Sequence, residues 1–293
     1  RRPPEEVGVV GGQRERAHGG ILDASGVARV ETGAVGTPAG HRARDRALSF
    51  GSDAERYDRT RPGYPAAAID HLLTRAGNDR PRVLDVGCGT GKLGAAFVAR
   101  GLVVHGVEPD ERMAAVARRH GLTVEVCPFE TWTGPPAAFD LLTVGQAWHW
   151  IEPTAGLDAA ARALAPGGAL ALVWNVIGHE PATHDALVAV YAQHAPGLVG
   201  SHTLEPADRA PGDLVALVGD HPAFTDAGDW SHAWALTLPA TTWVEQLRTH
   251  SDHALLPTTQ REHLLAAVSA ELVARGGTIT LRMTTVAITG RRR

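Results

Sequence analysis

Residues Val83 to Leu93 read VLDVGCGTGKL: an apolar run, an acid, then glycines at 87, 89 and 91. A short apolar strand that runs through a glycine loop into a helical pattern is the first unit of a βαβ fold. Its loop lies at the carboxyl edge of a parallel sheet, where the main chain comes close to a ligand. The spacing narrows what that ligand is. A dinucleotide turn reads G-x-G-x-x-G, whereas the glycines here fall as G-x-G-x-G. A phosphate-binding P-loop needs four residues between its glycines and Ser or Thr after the lysine. Here three intervene and Leu93 follows Lys92, so no hydroxyl is placed for magnesium. Asp85, two residues ahead of the first glycine, would repel a pyrophosphate but suits a cationic amine.

From Ala47 onward the chain alternates helical and strand patterns, as a βαβ architecture requires. AAAIDHLLTRAG is helical, RVLDVG a strand, KLGAAFVARG a helix and LVVHGVE the second strand. DERMAAVARRHG (helix), LTVEVC (strand), FDLLTVGQ (strand), GLDAAARALAPGG (helix stopped by Pro-Gly-Gly) and ALALVWNV (strand) follow. Strands this uniformly apolar are covered by helices on both faces. The rhythm breaks from Ile177 to Asp229, where one helix, THDALVAVYAQHA, is convincing. HAWALTLPA then reads as a strand, TTWVEQLRTHS and TTQREHLLAAVSAELVARGG as helices, and TITLRMTTVAITG as the last strand.

Glu108 closes the second strand, one helix after the glycine loop. An acid at that strand tip lies beside the loop and accepts both hydroxyls of a ribose. Alone it would be an ordinary surface acid; together with the loop it points to a nucleoside with a cationic amino-acid tail and no phosphates.

With these motifs in order (LDVGCGTGKL, VHGVEPDERM, VCPFETW, FDLLTVGQAWHW and ALAPGGALALVW), the chain resembles the class I S-adenosylmethionine-dependent methyltransferases from Phe50 to Asn175. YDRTRPGYP and GQAWHW are similar to a bacterial and fungal small-molecule subgroup that includes trans-aconitate methyltransferase-like proteins. The resemblance implies S-adenosyl-L-methionine as cofactor. Asp85 would then lie near the methionine amine, and the backbone of Gly87, Cys88 and Gly89 would approach the methionine moiety. Glu108 would take the ribose hydroxyls, with Pro109 and Met113 near the adenine and Phe129 and Glu130 along its edge. Gln146 and Ala147 would lie under the methionine portion. Tyr57 and Arg61 would fold over the cofactor and meet its carboxylate.

Trp148, Trp174 and Asn175 follow strands four and five and are candidates for substrate contact, with core packing or strand capping equally open. His149, in GQAWHWIEP, is a candidate general base; the alternative is that it holds the rings of Trp148 and Trp150 in place. No metal is expected. His179-Glu180 and His184 miss the H-E-x-x-H zinc spacing, and Pro181 interrupts them.

The net charge of −4 calls for no nucleic-acid partner, no apolar run is long enough to span a membrane, and the first residues do not resemble a signal peptide. Two cysteines without a CxxC partner suit a reducing, cytoplasmic setting, and the composition resembles that of a GC-rich bacterium. The expected fold is α/β: a doubly wound seven-stranded mixed sheet, Rossmann-like, its last strand antiparallel, with a helical lid insertion. Residues 1–46 are expected to be a disordered extension and 47–293 a single domain. Within it, 65–176 form the cofactor core, 177–229 the lid, and 230–290 a closing strand-helix-strand unit. The function implied is methyl transfer to a small organic acceptor. A non-methylating reaction on the same cofactor, or a non-catalytic cofactor-binding module, are the alternatives.

Deleting residues 1–46 should leave the melting temperature and cofactor binding nearly unchanged, because that segment lacks a periodic apolar face. Deleting through Tyr64 should weaken cofactor binding, since Tyr57 and Arg61 go with it. Thermal melts and calorimetry on the two truncations check this; unfolding of the shorter one would move the domain boundary.

Overall fold

The computed structural model describes residues 53–201, 203–204 and 214–293. The extension expected over 1–46 lies outside them. Helices α1 (Ala54–Thr60) and α2 (Ala66–Ala76) lead into the first strand. β1 (Val83–Val86), α3 (Gly94–Val98), β2 (Val104–Val107), α4 (Glu111–Arg119) and β3 (Thr123–Glu125) form the first crossover pair. β4 (Phe139–Gly145), α5 (Pro153–Ala163) and β5 (Leu164–His179) follow. After α6 (Pro181–His194) and α7 (Leu214–Gly219) comes β6 (Phe224–Pro239). Its return to β7 (Thr278–Arg292) runs through α8 (Ala240–Leu247), α9 (Ser251–Ala254) and α10 (Thr258–Ala274).

The seven strands form one sheet in the order β3-β2-β1-β4-β5-β7-β6. β1 to β5 pair in parallel, and β7 runs antiparallel to both of its neighbours. This is the mixed, doubly wound sheet that the strand pattern predicts. The order reverses at β1, between β2 and β4, which opens a crevice at the carboxyl ends of those strands.

Alternation along the strands separates two cores. Leu84, Val86, Leu142, Val144, Leu170 and Leu172 face one side with Leu157 and Ala160 of α5 and Val218 of α7. Val83, Leu141, Ala169, Ala171 and Val173 face the other, with Ile69 and Leu72 of α2 and Phe97 of α3. Two alanines in β5 on this second face, Ala169 and Ala171, let α2 settle close to the sheet. Beyond the crevice, β5, β6 and β7 continue as a long ribbon. Leu281 and Met283 of that ribbon pack with Leu187 of α6, Trp243 of α8 and Leu264 of α10. Among the described residues no helix is long and apolar enough to cross a membrane.

Two elements differ from the sequence expectation. The helix expected to run to Pro-Gly-Gly ends at Ala163, and Leu164 already pairs with Phe139. Ala165 precedes Pro166, which disfavours helical backbone, and Gly167 takes φ 78° in the bulged start of β5. β6 begins at Phe224, well ahead of the expected HAWALTLPA. Its first half (FTDAGDWS) is polar because β6 is the sheet's edge, with one face toward solvent. A register shift breaks its pairing with β7 between Thr225 and Gly228.

A buried polar chain ties the ribbon to the segment before the sheet. Trp234 Nε1–H donates to Thr285 Oγ1 at 2.9 Å, and the Thr285 hydroxyl donates to Asn175 Oδ1 at 2.6 Å. Asn175 Nδ2–H then donates to the Gly63 carbonyl at 2.9 Å. Thr285→Val should cost about 1–3 kcal/mol, because the Asn175 oxygen loses its donor inside the protein. Thr285→Ser keeps both bonds and should cost much less. Urea unfolding of both variants checks this, and a valine variant as stable as wild type would show that the chain contributes nothing.

Candidate active site

The site is built where β1 and β2 end side by side. Val107 O accepts both Gly87 N–H (2.7 Å) and Cys88 N–H (3.2 Å), which curls the glycine loop over the tip of β2. Gly87 has φ 59°, and a Cβ there would sit 2.6 Å from the Ala147 methyl, so the loops after β1 and β4 touch through the missing side chain. A Cβ on Gly89 (φ 56°) would lie 3.5 Å from Met113 Cε. The loop thus leaves its main chain exposed to whatever enters the crevice.

Both acids flank this loop and are buried, Asp85 at 1% exposure and Glu108 at 8%. Asp85 Oδ2 accepts from Gly94 N–H and Oδ1 from the Thr143 hydroxyl, each at 3.0 Å. Glu108 Oε2 accepts from Gly89 N–H at 2.9 Å and Oε1 from Asp110 N–H at 3.0 Å. Loss of water dominates their protonation. Burial pushes Asp85 up to about 7, against the pull of the Thr143 and Gly94 donors and helped by the Glu108 charge. It pushes Glu108 up to about 7 against the Asp110 and Gly89 donors. Two carboxylates so placed favour a cation or hydroxyl donors and disfavour phosphate.

The other candidates fall around this centre. Pro109 is exposed beside Glu108, and Met113 is buried against Val116 and Ala54 with Tyr57 alongside. Phe129 is buried and stacks on Trp132, and Glu130 Oε1 accepts from Glu152 N–H at 3.2 Å, joining the turn after β3 to the start of α5. Gln146 adopts φ 58°, a costly backbone for a residue with a Cβ. Its N–H bonds Val173 O at 2.8 Å and its Nε2–H bonds Asn175 O at 2.9 Å, which hold it there. Asn175 is 8% exposed and committed to Gly63 and Thr285. Arg61 lies 5.2 Å above the Tyr57 ring and donates to Thr249 Oγ1 and O, both at 2.9 Å.

The tryptophans divide. Trp148 is 3% exposed and belongs to the α5-side core, where its ring closes on Gly156. Trp174 is half-buried against the same core. His149 is exposed, with its ring centroid 4.6 Å from that of Trp150. His179 lies in β5 and His184 in α6, so no single helix carries the two.

Thr143 and Tyr64 belong to the site without having been singled out. Thr143 pairs with Asp85 across β1 and β4, a register invisible in sequence. Tyr64 sits in the quoted YDRTRPGYP; its hydroxyl is 2.7 Å from where a Cβ on Gly145 would lie, and burial pushes the phenol well above its usual range.

Residues 83–168 match a sequence family described as a methyltransferase domain. An uncharacterized methyltransferase of Mycobacterium tuberculosis is 46% identical over 135 residues, 45% of this chain and 54% of its own length. A ubiquinone biosynthesis O-methyltransferase of Xanthomonas oryzae pv. oryzae is 31% identical over 156 residues, 48% of this chain and 64% of its own length. The chain thus spans about half the length of the first of these relatives and less than two thirds of the second. A solved structure from Anaeromyxobacter dehalogenans, described as a type II methyltransferase, superposes with a TM-score of 0.55 at 25% identity, over 80% of this chain and 97% of that one. Over residues 83–168 the chain is thus similar to a methyltransferase domain.

Proposed function

We propose that this chain is an enzyme that transfers the methyl group of S-adenosylmethionine to a small organic molecule. The observation that carries this reading is the pair of buried acids, Asp85 and Glu108, on either side of a glycine loop that leaves its backbone open. Bound there, the cofactor would supply an electrophilic methyl on a sulfonium, already activated for displacement.

What remains for the chain is to bind, orient and exclude water. Glu108 accepts the ribose hydroxyls. Asp85, braced by Thr143 and Gly94, sets a negative field toward the cationic tail and holds the start of α3. Gly87, Cys88, Gly89, Gln146 and Ala147 line the methionine portion. Met113, Pro109, Phe129 and Glu130 border the adenine. Tyr57 and Arg61 form a flap, clasped to Thr249, that closes over the crevice. The lid expected over 177–229 reduces to α6, which follows the end of β5 and acts as the cover on the acceptor side, since 177–179 belong to β5, 224–229 to β6 and Val218 of α7 to the sheet core. The two cysteines are free, in keeping with a reducing bacterial cytoplasm.

Cofactor affinity should rise with pH between about 6 and 8. Burial raises both acids toward neutrality, so the unliganded protein holds protons that the cationic, hydroxyl-donating ligand drives off. Calorimetry in buffers of different ionisation enthalpy should show proton release on binding, and Glu108→Ala should weaken binding by about 1–3 kcal/mol. Unchanged affinity in the variant removes the ribose role, and NADH binding in place of S-adenosylmethionine would overturn the function.

His149→Gln distinguishes a base from a brace. Removing a general base lowers kcat about 10²–10⁴-fold with cofactor affinity intact. If the contact with Trp150 is what matters, the loss appears in stability or in both binding constants instead. Steady-state kinetics across pH, read as S-adenosylhomocysteine formed, separates the two. Full activity would mean the acceptor attacks without help, as a carboxylate does.

A further inference from the structure

Away from the glycine loop, α9 and its flanks gather a second group of titratable side chains. One ring nitrogen each of His250 and His253 and one carboxylate oxygen of Asp252 lie within 4.8 Å of one another. His250 and His253 are buried, at 1% and 0% exposure, and Asp252 is half-buried. Donor atoms around tetrahedral zinc stand about 3.3–3.5 Å apart, given bonds of about 2.0–2.1 Å, so shifts of about an ångström would close the set.

The feature that distinguishes this cluster from a chance meeting of polar residues is how its imidazoles are held. A histidine that binds a metal through one nitrogen is oriented by an oxygen at the other. His250 Nδ1 lies 2.9 Å from Thr203 Oγ1, and His253 Nε2 lies 2.7 Å from the Tyr191 hydroxyl. Thr203 is itself fixed, its carbonyl 2.8 Å from His179 Nε2. With Nδ1 of His250 and Nε2 of His253 facing these oxygens, the ligand atoms toward the ion would be Nε2 of His250 and Nδ1 of His253. His253 Nδ1 now lies 2.7 Å from Asp252 Oδ1, the place where an ion would replace a shared proton. Trp243 packs its ring edge-on to both His179 and His250, at 5.6 and 6.2 Å, and gives the cluster an apolar wall.

We propose that His250, Asp252 and His253 bind a first-row divalent ion, zinc by ligand type, with Thr203 and Tyr191 as the oxygens that orient the two imidazoles. Two histidines and one carboxylate suit zinc, and three protein ligands leave a fourth position open. In the metal-bound form the imidazole proton of His253 sits on Nε2 and points to the Tyr191 oxygen, and the Asp252 carboxylate turns to the ion. Arg61 lies within electrostatic reach of Asp252 and works against a second cation, so affinity rests on the three ligand bonds and their supports. The ion would fasten α9 to α6 through Tyr191, close to the Thr249 clasp that holds the Arg61 flap.

The test uses untagged full-length protein, stripped with chelator and titrated with zinc sulfate, with metal content read by mass spectrometry. One tightly bound equivalent is expected, weakened about 10–100-fold by Asp252→Asn and by Tyr191→Phe. Circular dichroism checks that both variants are folded; should Asp252→Asn fail to fold, the wild-type stoichiometry and Tyr191→Phe decide. Absence of a stoichiometric site, or equal affinity in the folded variants, overturns the proposal and leaves a hydrogen-bonded Tyr191–His253–Asp252 chain. The readout involves no methyl acceptor or cofactor, so it is independent of the proposed transfer activity.

Discussion

The structure turns on the removal of two carboxylates from water at the tips of neighbouring strands. Asp85 and Glu108 each accept two hydrogen bonds, and those bonds shape their surroundings: Gly89 and Asp110 around Glu108, Gly94 and Thr143 around Asp85. The glycine loop, the start of α3 and the middle of β4 are therefore positioned by the same acids that face the crevice. Burying such groups disfavours their charged forms unless something compensates. Four local donors supply part of that compensation, and under the proposed function a ligand with a cation and hydroxyls would supply the remainder.

A second constraint acts across the sheet. Gln146 sits in left-handed backbone, clamped by Val173 O and Asn175 O, so the loop after β4 takes its shape from β5. Asn175 in turn reaches Gly63 and accepts from Thr285. Through these contacts the segment before the sheet, the loop under the crevice and the β6–β7 ribbon share one buried polar connection. A displacement of the ribbon would reach the segment around Gly63 through hydrogen bonds rather than through loose packing.

The glycine loop, Asp85 and Glu108 were legible because their information is local: residue types at fixed spacing along one crossover. Thr143 was not, because it meets Asp85 only through the β1–β4 register. Arg61 was expected to meet the cofactor's carboxylate, and the structure bonds it to Thr249, a partner 188 residues away that no local pattern reveals. The grouping of Tyr191, Thr203, His250, Asp252 and His253 was hidden for the same reason, since α6 and α9 meet only in the folded chain. The end of α5 was misjudged because Leu-Ala-Pro-Gly-Gly reads as a helix stop, whereas its backbone is extended and already pairs with β4.

β6 closes the sheet on one side with a strand of sixteen residues, a length that would ordinarily invite a neighbouring molecule to add a strand of its own. Its first turn of pleat is spoiled for that use. The register breaks between Thr225 and Gly228, and Asp226, at φ 52°, points its carboxylate to Arg75 and Arg291. Asp229 adds a further charge, and Pro239 withholds an N–H at the far end. The polar stretch that concealed β6 in the sequence is thus a guard against self-association, placed where the backbone is least protected.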